Sequence, residues 1–264
     1  MRCTTCRSRI RARFEDAFDI VTRAWTEEVF SYSGKFWTYE NVALWPRPVQ
    51  RPHPPLCMPI TSSKESIEFA GKHDMTIPPG IGSIGLQEDV IRYFAKCLAA
   101  SGHAIAPRHI ALGQSAYIAD SKAQAVKENG PYHLYFNRTL YSHGNFTEHS
   151  KGEKAGYVSA ASTDYIRPEN LRAAERARAD FRNMTMDDVA RQAETMPWGT
   201  AGEVTERIIS AANRTGAGTV ILSFNRGAMP NEMFVEQVRR FAREVLSALQ
   251  AHQIARVPLA EPVA

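Results

Sequence analysis

The densest run of side chains able to do chemistry is Thr61-Ser62-Ser63-Lys64-Glu65-Ser66. It closes a short apolar stretch, Leu56 to Thr61, and opens a helical pattern that lasts to about His73. Where a buried strand gives way to a helix, unpaired backbone N–H groups and the positive end of the helix dipole face the same space. Hydroxyls at Ser62, Ser63 and Ser66 add neutral donors to that space. The combination suits a phosphate monoester, which brings its own charge. The same residues also read as ordinary caps: Ser62 and Glu65 have capping-box spacing, and Ser63 can serve the first turn. Spacing alone favours capping.

Other motifs carry less. Gly80-Ile81-Gly82-Ser83-Ile84-Gly85 matches GxGxxG and precedes a helix. A dinucleotide site also needs a clean preceding strand and an acid about 20 positions on. Here Pro78-Pro79 interrupts the strand, and the window from Gly102 to Arg108 holds no carboxylate, so a flexible strand-to-helix loop is the better reading. Cys3 and Cys6 form a lone CxxC without the second ligand pair that structural zinc requires. The eight histidines show no HExxH spacing; His133, His143 and His149 fall in an irregular region where a substrate contact is open to them. No Gly-x-Ser-x-Gly elbow supports serine hydrolysis.

These residues need elements to position them. Residues 7 to 28 read as an amphipathic helix with a stripe of Phe14, Ala17, Phe18, Val21 and Trp25. Phe36, Trp37 and Tyr39 after Gly34 suggest a hairpin-like extended piece, and the proline-dense Trp45 to Pro55 must be an extended connector. Four apolar strands follow: Leu56 to Thr61, Met75 to Pro78, His109 to Ala119, and Thr219 to Phe224. The first and last are continuously apolar, as strands buried on both faces are. Helical patterns alternate with them, at about 62–73, 86–100, 201–215 and 231–250, with further helices at 168–182 and 185–195. Such alternation predicts parallel strands joined by helical crossovers. Residues 128–167 lack a sustained period and read as a lid or binding loop.

Composition bounds the classes. With 44% apolar and 23% charged residues, the 264-residue chain is ordinary globular material and not disordered or fibrous. No run approaches the roughly 18 apolar residues of a membrane helix. A net charge of +4 is too weak to argue for nucleic acid. With no signal peptide apparent, four cysteines fit reduced thiols in the cytoplasm.

The stretch GKFWTYENVALWPRPVQRPHPPLCMPITSSKESIEFAGKHD resembles the bacterial luciferase-like, flavin-dependent monooxygenase family, as does WGTAGEVTERIISAANRTGAGTVILSFNRGAMPNEMFVEQVRRFAREVL. The Gly-aromatic segment, the proline strap, the apolar strand, the serine pair and the later Gly-x-Met-Pro-like turn stand in family order, over most of residues 8 to 250. The resemblance implies an α/β fold of the (β/α)₈ TIM-barrel type with a flavin at the carboxyl ends of the strands. It places the flavin phosphate on Ser63 and Ser66, with Ser62 where the luciferase α-subunit has an acid, and so favours the phosphate reading over simple capping. Four strands match about strands 5 to 8 of such a barrel. Residues 1–264 are therefore expected to form a single, N-terminally truncated barrel domain, with 128–167 as candidate lid.

The resemblance further implies a monooxygenase that uses reduced FMN and oxygen on a small organic substrate, with a separate flavin reductase supplying the reduced cofactor. Tyr135, Phe224 and Met229 are the expected pocket residues; no catalytic residue or metal ligand is assigned. A same-family alternative is hydride transfer with the deazaflavin F420. A non-catalytic partner subunit or inactive fragment is the alternative from a different class. Open strand edges lead to the expectation of a homo-oligomer.

Overall fold

The computed structural model describes residues 4–60, 63–79, 84–143, 164–173, 181–225 and 227–260. The chain divides into two compact units, Met1–Leu56 and Cys57–Ala264, each described by itself.

In the first unit, helix α1 (Thr4–Thr26) is followed by an antiparallel hairpin of β1 (Phe30–Ser33) and β2 (Thr38–Val42). Asp16 ties helix to hairpin by accepting the Phe36 N–H at 2.9 Å, and the Arg13 guanidinium lies 5.4 Å from the Trp37 ring. The expected apolar stripe of α1 is only half covered: Phe14 and Val21 are 40% and 43% exposed. The proline strap has no helix or strand, as its composition requires.

The second unit holds the parallel alternation. After α2 (Lys64–Lys72) come α3 (Ile84–Ala100), β3 (Ala111–Ser115), β4 (Tyr117–Ile118), α4 (Lys122–His143), α5 (Met186–Ala193), β5 (Trp198–Gly199), α6 (Ala201–Thr215), β6 (Thr219–Ser223), α7 (Asn231–Glu244) and α8 (Leu246–Ala251). β3 pairs with β6 and β4 with β5, both parallel. Isolated parallel bridges, Cys57 to Thr76, Ile60 to Pro79 and Ile77 to Ile110, add two more extended segments on the far side of β3. The Met58 N–H donates to the Thr76 carbonyl at 2.9 Å and the Ala111 N–H to the Ile77 carbonyl at 3.0 Å. All four expected strand regions thus run parallel, in the order 57–60, 76–79, 111–115, 219–223. The pairings are short, and TIM-barrel closure is not shown by them.

Two expectations need correction. Residues 128–143 are helical, the second part of α4, and not irregular. The face that α4 buries is Ala125, Asn129, Gly130, His133 and Asn137; this stripe has helical spacing but is largely polar, so an apolar period misses it. Gly130 faces α5, where the end of the flexible Met186 side chain lies over it. The rest of the expected lid, 144–163, lies outside the described residues. Second, neither outer segment is buried on both faces: Cys57 and Pro59 of the first are exposed, Ile221 of β6 is 50% exposed, and among the described residues β6 has β3 as its only strand neighbour.

The amino ends of the parallel segments are pinned by a polar clamp. His109 is fully buried; its Nδ1 accepts the Ala106 N–H at 2.9 Å, so Nε2 carries the proton and donates to Asp74 Oδ1 at 2.9 Å. Arg108 holds the other Asp74 oxygen at 2.7 Å. Burial pushes the His109 imidazole below its ordinary range, against the pull of Asp74. Burial opposes the Asp74 charge too, but bonds from Arg108 and His109 outweigh it and hold the carboxyl low. Both shifts act in one direction: the unfolded chain takes each proton first, so stability is lost as pH falls.

We expect His109→Ala to cost about 3 kcal/mol, through lost bonds to a charged partner and the cavity left behind. Wild-type stability should decline from about pH 7 to pH 5, and the variant's should be flatter, because only the wild type carries this imidazole; urea melts across that range check both. At the end of α6, Gly216 has φ of +75° and its Cβ direction points into the Val257 backbone. Gly216→Ala should destabilise by about 2 kcal/mol in the same assay.

Candidate functional site

The carboxyl ends of the parallel segments converge on one side, where the chain passes from strand to helix. Ser63 stands at the N-cap position of α2 with extended backbone, yet its side chain does not cap the helix. Its hydroxyl donates to Glu65 Oε2 at 3.0 Å and accepts from the Ser66 hydroxyl at 3.3 Å. The two predicted hydroxyls are therefore together at the first turn, on backbone that offers free N–H groups as any helix start does. Ser62, the third predicted member, lies outside the described residues, as do Gly80 to Ser83 of the glycine-rich run. Lys64, next to Ser63, is held by Asp164 at 2.9 Å and sits 5.5 Å from the Tyr93 ring. Tyr93 stacks on Tyr165 at 4.6 Å.

α3 buries three successive polar residues, Gln87, Glu88 and Asp89, a feature the sequence reading passed over. Asp89 accepts from Arg167 Nε at 2.7 Å, from the Arg167 N–H at 3.0 Å, and from Asn170 Nδ2 at 2.7 Å. Glu88 accepts from Arg214 of α6 at 2.6 Å. The network joins α3, α6 and residues 164–173 into one body. Its signal in the sequence is the triplet itself, because charged residues on the inward face of an otherwise apolar helix demand partners.

The predicted pocket residues are not gathered. Tyr135 lies on the outer face of α4, 56% exposed. Phe224 and Met229, just beyond the carboxyl end of β6, are buried, but in different company. Phe224 packs 5.3 Å from Phe241, while Met229 belongs to a cluster with Tyr117, Trp198, Met184 and Val189. Trp198 is the largest side chain of that cluster and carries no local signal in the sequence. It is fully buried, donates its indole N–H to the Ser115 carbonyl at 3.1 Å, and meets the His133 ring edge-to-face at 5.2 Å. Burial first, and then the bond to Glu128, pushes the Tyr117 phenol up, so it stays a donor. A separate apolar groove of about 740 Å³ lies between α6, β6, α7 and α8, lined by Ile208, Val220, Leu222, Phe241 and Leu249. It opens on the helix-covered face of β6 and includes none of the serine site. No helix of the described residues is long and apolar enough to cross a membrane.

The profile of the luciferase-like monooxygenases matches residues 7–218. The chain belongs to that family. Among solved structures, the monooxygenase RslO1 from Streptomyces bottropensis is 22% identical with a TM-score of 0.59, over 90% of this chain and 61% of that one. The oxygenating constituent of 3,6-diketocamphane monooxygenase from Pseudomonas putida, in complex with FMN, is 18% identical with a TM-score of 0.57, over 92% and 63%. An F420-dependent secondary alcohol dehydrogenase is 13% identical with a TM-score of 0.52, over 88% and 60%. At these identities the likeness concerns the fold. The chain spans about three-fifths of the length of these structures. A comparison with curated protein sequences yields no match. In this luciferase-like chain, then, the mixed helix and short parallel sheet content accords with the family architecture.

We expect Asp89→Asn to cost about 2–3 kcal/mol, because it removes a charged acceptor from a half-exposed arginine and the backbone beside it. Chemical denaturation measures that loss. Equal stability in both proteins would mean the network is ornamental.

Proposed function

We propose that the chain is the cofactor-phosphate-binding portion, about strands 5 to 8, of a (β/α)₈ flavin-dependent oxidoreductase, a monooxygenase using reduced FMN and oxygen on a small organic substrate. The observation that carries it is the Ser63–Ser66 hydroxyl pair at the N-terminus of α2, directly beyond a parallel segment, in a chain of the luciferase-like family. Hydroxyls and free N–H groups are neutral donors of the kind a phosphate takes, and the Glu65 carboxylate that accepts the Ser63 hydroxyl is the one charge set against it. When bound, the reduced flavin supplies the electrons that activate oxygen. The protein's own residues grip the phosphate, through Ser63 and Ser66, and with Ser62 as third member. Phe224 and Met229 supply apolar wall beyond β6, and Tyr135, on the outer face of α4, is the pocket residue that needs another contact to reach a ligand. Reduced flavin comes from a separate reductase, the assembly is a homo-oligomer in the cytoplasm, and 128–167 remains the segment proposed to cover the site.

A second reading is hydride transfer with F420, and one observation favours keeping it. Glu65 already takes the Ser63 hydroxyl, and a carboxylate in the first turn opposes a dianionic monoester more than the singly charged phosphodiester of F420. Oxygen uptake with an FMN reductase, compared with F420H₂ turnover, separates the two.

The double variant Ser63→Ala, Ser66→Ala should weaken FMN binding by about 30-fold or more, since two hydrogen bonds to a charged group are lost, and leave riboflavin binding unchanged. Fluorescence titration of both ligands tests this. Equal losses for the two would overturn the phosphate assignment.

A further inference from the structure

Most of the large apolar side chains that lie exposed among the described residues belong to the first unit, and three of them stand in line. Ile10, Phe14 and Val21 of α1 are 51%, 40% and 43% exposed. At 3.6 residues per turn they fall within about 40° of one another around the helix. The hairpin is held by the other side. Asp16 accepts the Phe36 N–H and Arg23 donates to the Ser31 carbonyl at 3.0 Å, from positions about 150° away from that line. Phe14 stacks on Phe18 of its own helix, with ring centres 6.5 Å apart, and keeps its exposure nonetheless. The row runs about 16 Å along the helix, which sets it apart from singly scattered surface hydrophobes.

The spacing says what such a row fits. Ile10, Phe14, Ala17, Val21 and Ala24 follow the 4-3-4-3 step of a coiled-coil seam, with large and small side chains mixed along it. Laid antiparallel on itself, about a twofold axis between residues 15 and 16, this seam sets Ile10 opposite Val21 and Phe14 opposite Ala17. The twofold axis repeats both pairs in reverse. A bulky ring then meets a methyl group, so the two rows interdigitate. Charge decides the direction. Residues 9–13 carry three arginines and no acid, whereas residues 15–19 carry three acids and no base. Antiparallel docking brings each basic stretch towards the other chain's acidic one. Parallel docking sets like charge beside like charge within a Debye length of about 8–10 Å. A surface that matches itself about a twofold axis closes on two chains and adds no more.

We propose that this face of α1 docks a second copy of the chain as an antiparallel helix pair. The inference rests on the homo-oligomer reading above and deepens it by naming the face. The exposed row, its large-against-small order and the division of charge all lie within α1. Neither the serine site nor the parallel segments enter, so the cofactor reading stands or falls separately.

The test is sedimentation velocity on the full chain and two variants, Ile10→Lys and Val21→Glu, at about 1 to 100 µM, the range in which a small interface associates. Wild type should sediment as a dimer towards the upper end. Each variant alone should raise the dissociation constant by about 30-fold or more, because a charge replaces an apolar contact at both ends of the twofold pair. Mixed in equal amounts, the two variants should associate about 10-fold more tightly than either does alone. The mixed pair regains one Ile10–Val21 contact and sets lysine against glutamate at the other. Circular dichroism checks that the helix is kept; should one variant lose it, the other's loss of association decides for the face. A wild type that stays monomeric throughout overturns this proposal and the homo-oligomer reading together. An oligomer that neither variant weakens overturns the face and leaves that reading standing. Two monomeric variants that fail to associate on mixing overturn the antiparallel pairing.

Discussion

Parallel backbone pairing is the constraint on which the second unit depends. Segments 57–60, 76–79, 111–115 and 219–223 all run the same way, through bonds such as Met58 to Thr76 and Ala111 to Ile77. A parallel neighbour cannot be reached by a tight turn, so each connection must cross back, and helices supply the crossing. The consequence is a sidedness that no single residue encodes. Every strand-to-helix junction, with its free N–H groups, lies at one end, and every return lies at the other.

The two ends use polar residues differently. At the return end, Asp74, Arg108 and His109 satisfy one another and the Ala106 backbone, which is what a fastening should do. Glu88 and Asp89 do similar work between α3, α6 and residues 164–173, each oxygen meeting an arginine, an asparagine or a backbone N–H. At the junction end, the polar side chains engage neighbours rather than fasten elements. Ser63 declines its cap and bonds instead to neighbouring side chains, and Ser115 keeps a hydroxyl with no described partner. At the return end, stability reads as closure of polar bonds.

Much of this arrangement was legible from residue pattern. The four apolar runs beginning at Leu56, Met75, His109 and Thr219 are the four parallel segments, and α6 spans the expected 201–215, where the structure adds a Thr200–Glu203 capping box and a left-handed Gly216 stop. What escaped was polar. The buried stripe of α4, Asn129–His133–Asn137, has helical spacing without apolar content, and the Gly130-Pro131 pair reads as a breaker. The inward Glu88 and Asp89 acquire meaning only with Arg167 and Arg214, far away in sequence. Sequence reading weighs hydrophobic period, so burial that depends on remote partners is invisible to it. The serine pair was found because its signal is local, whereas Trp198 needed tertiary contacts to emerge.

β6 carries a practical consequence. Its sequence, Thr219 to Ser223, is β-branched and apolar, Ile221 projects half into solvent, and one flank of its backbone has no described strand beside it. Strands of that kind template the addition of foreign chains. The purified polypeptide should therefore be colloidally fragile at this edge, and a lysine in place of Ile221 is the natural gatekeeper for keeping concentrated samples monodisperse.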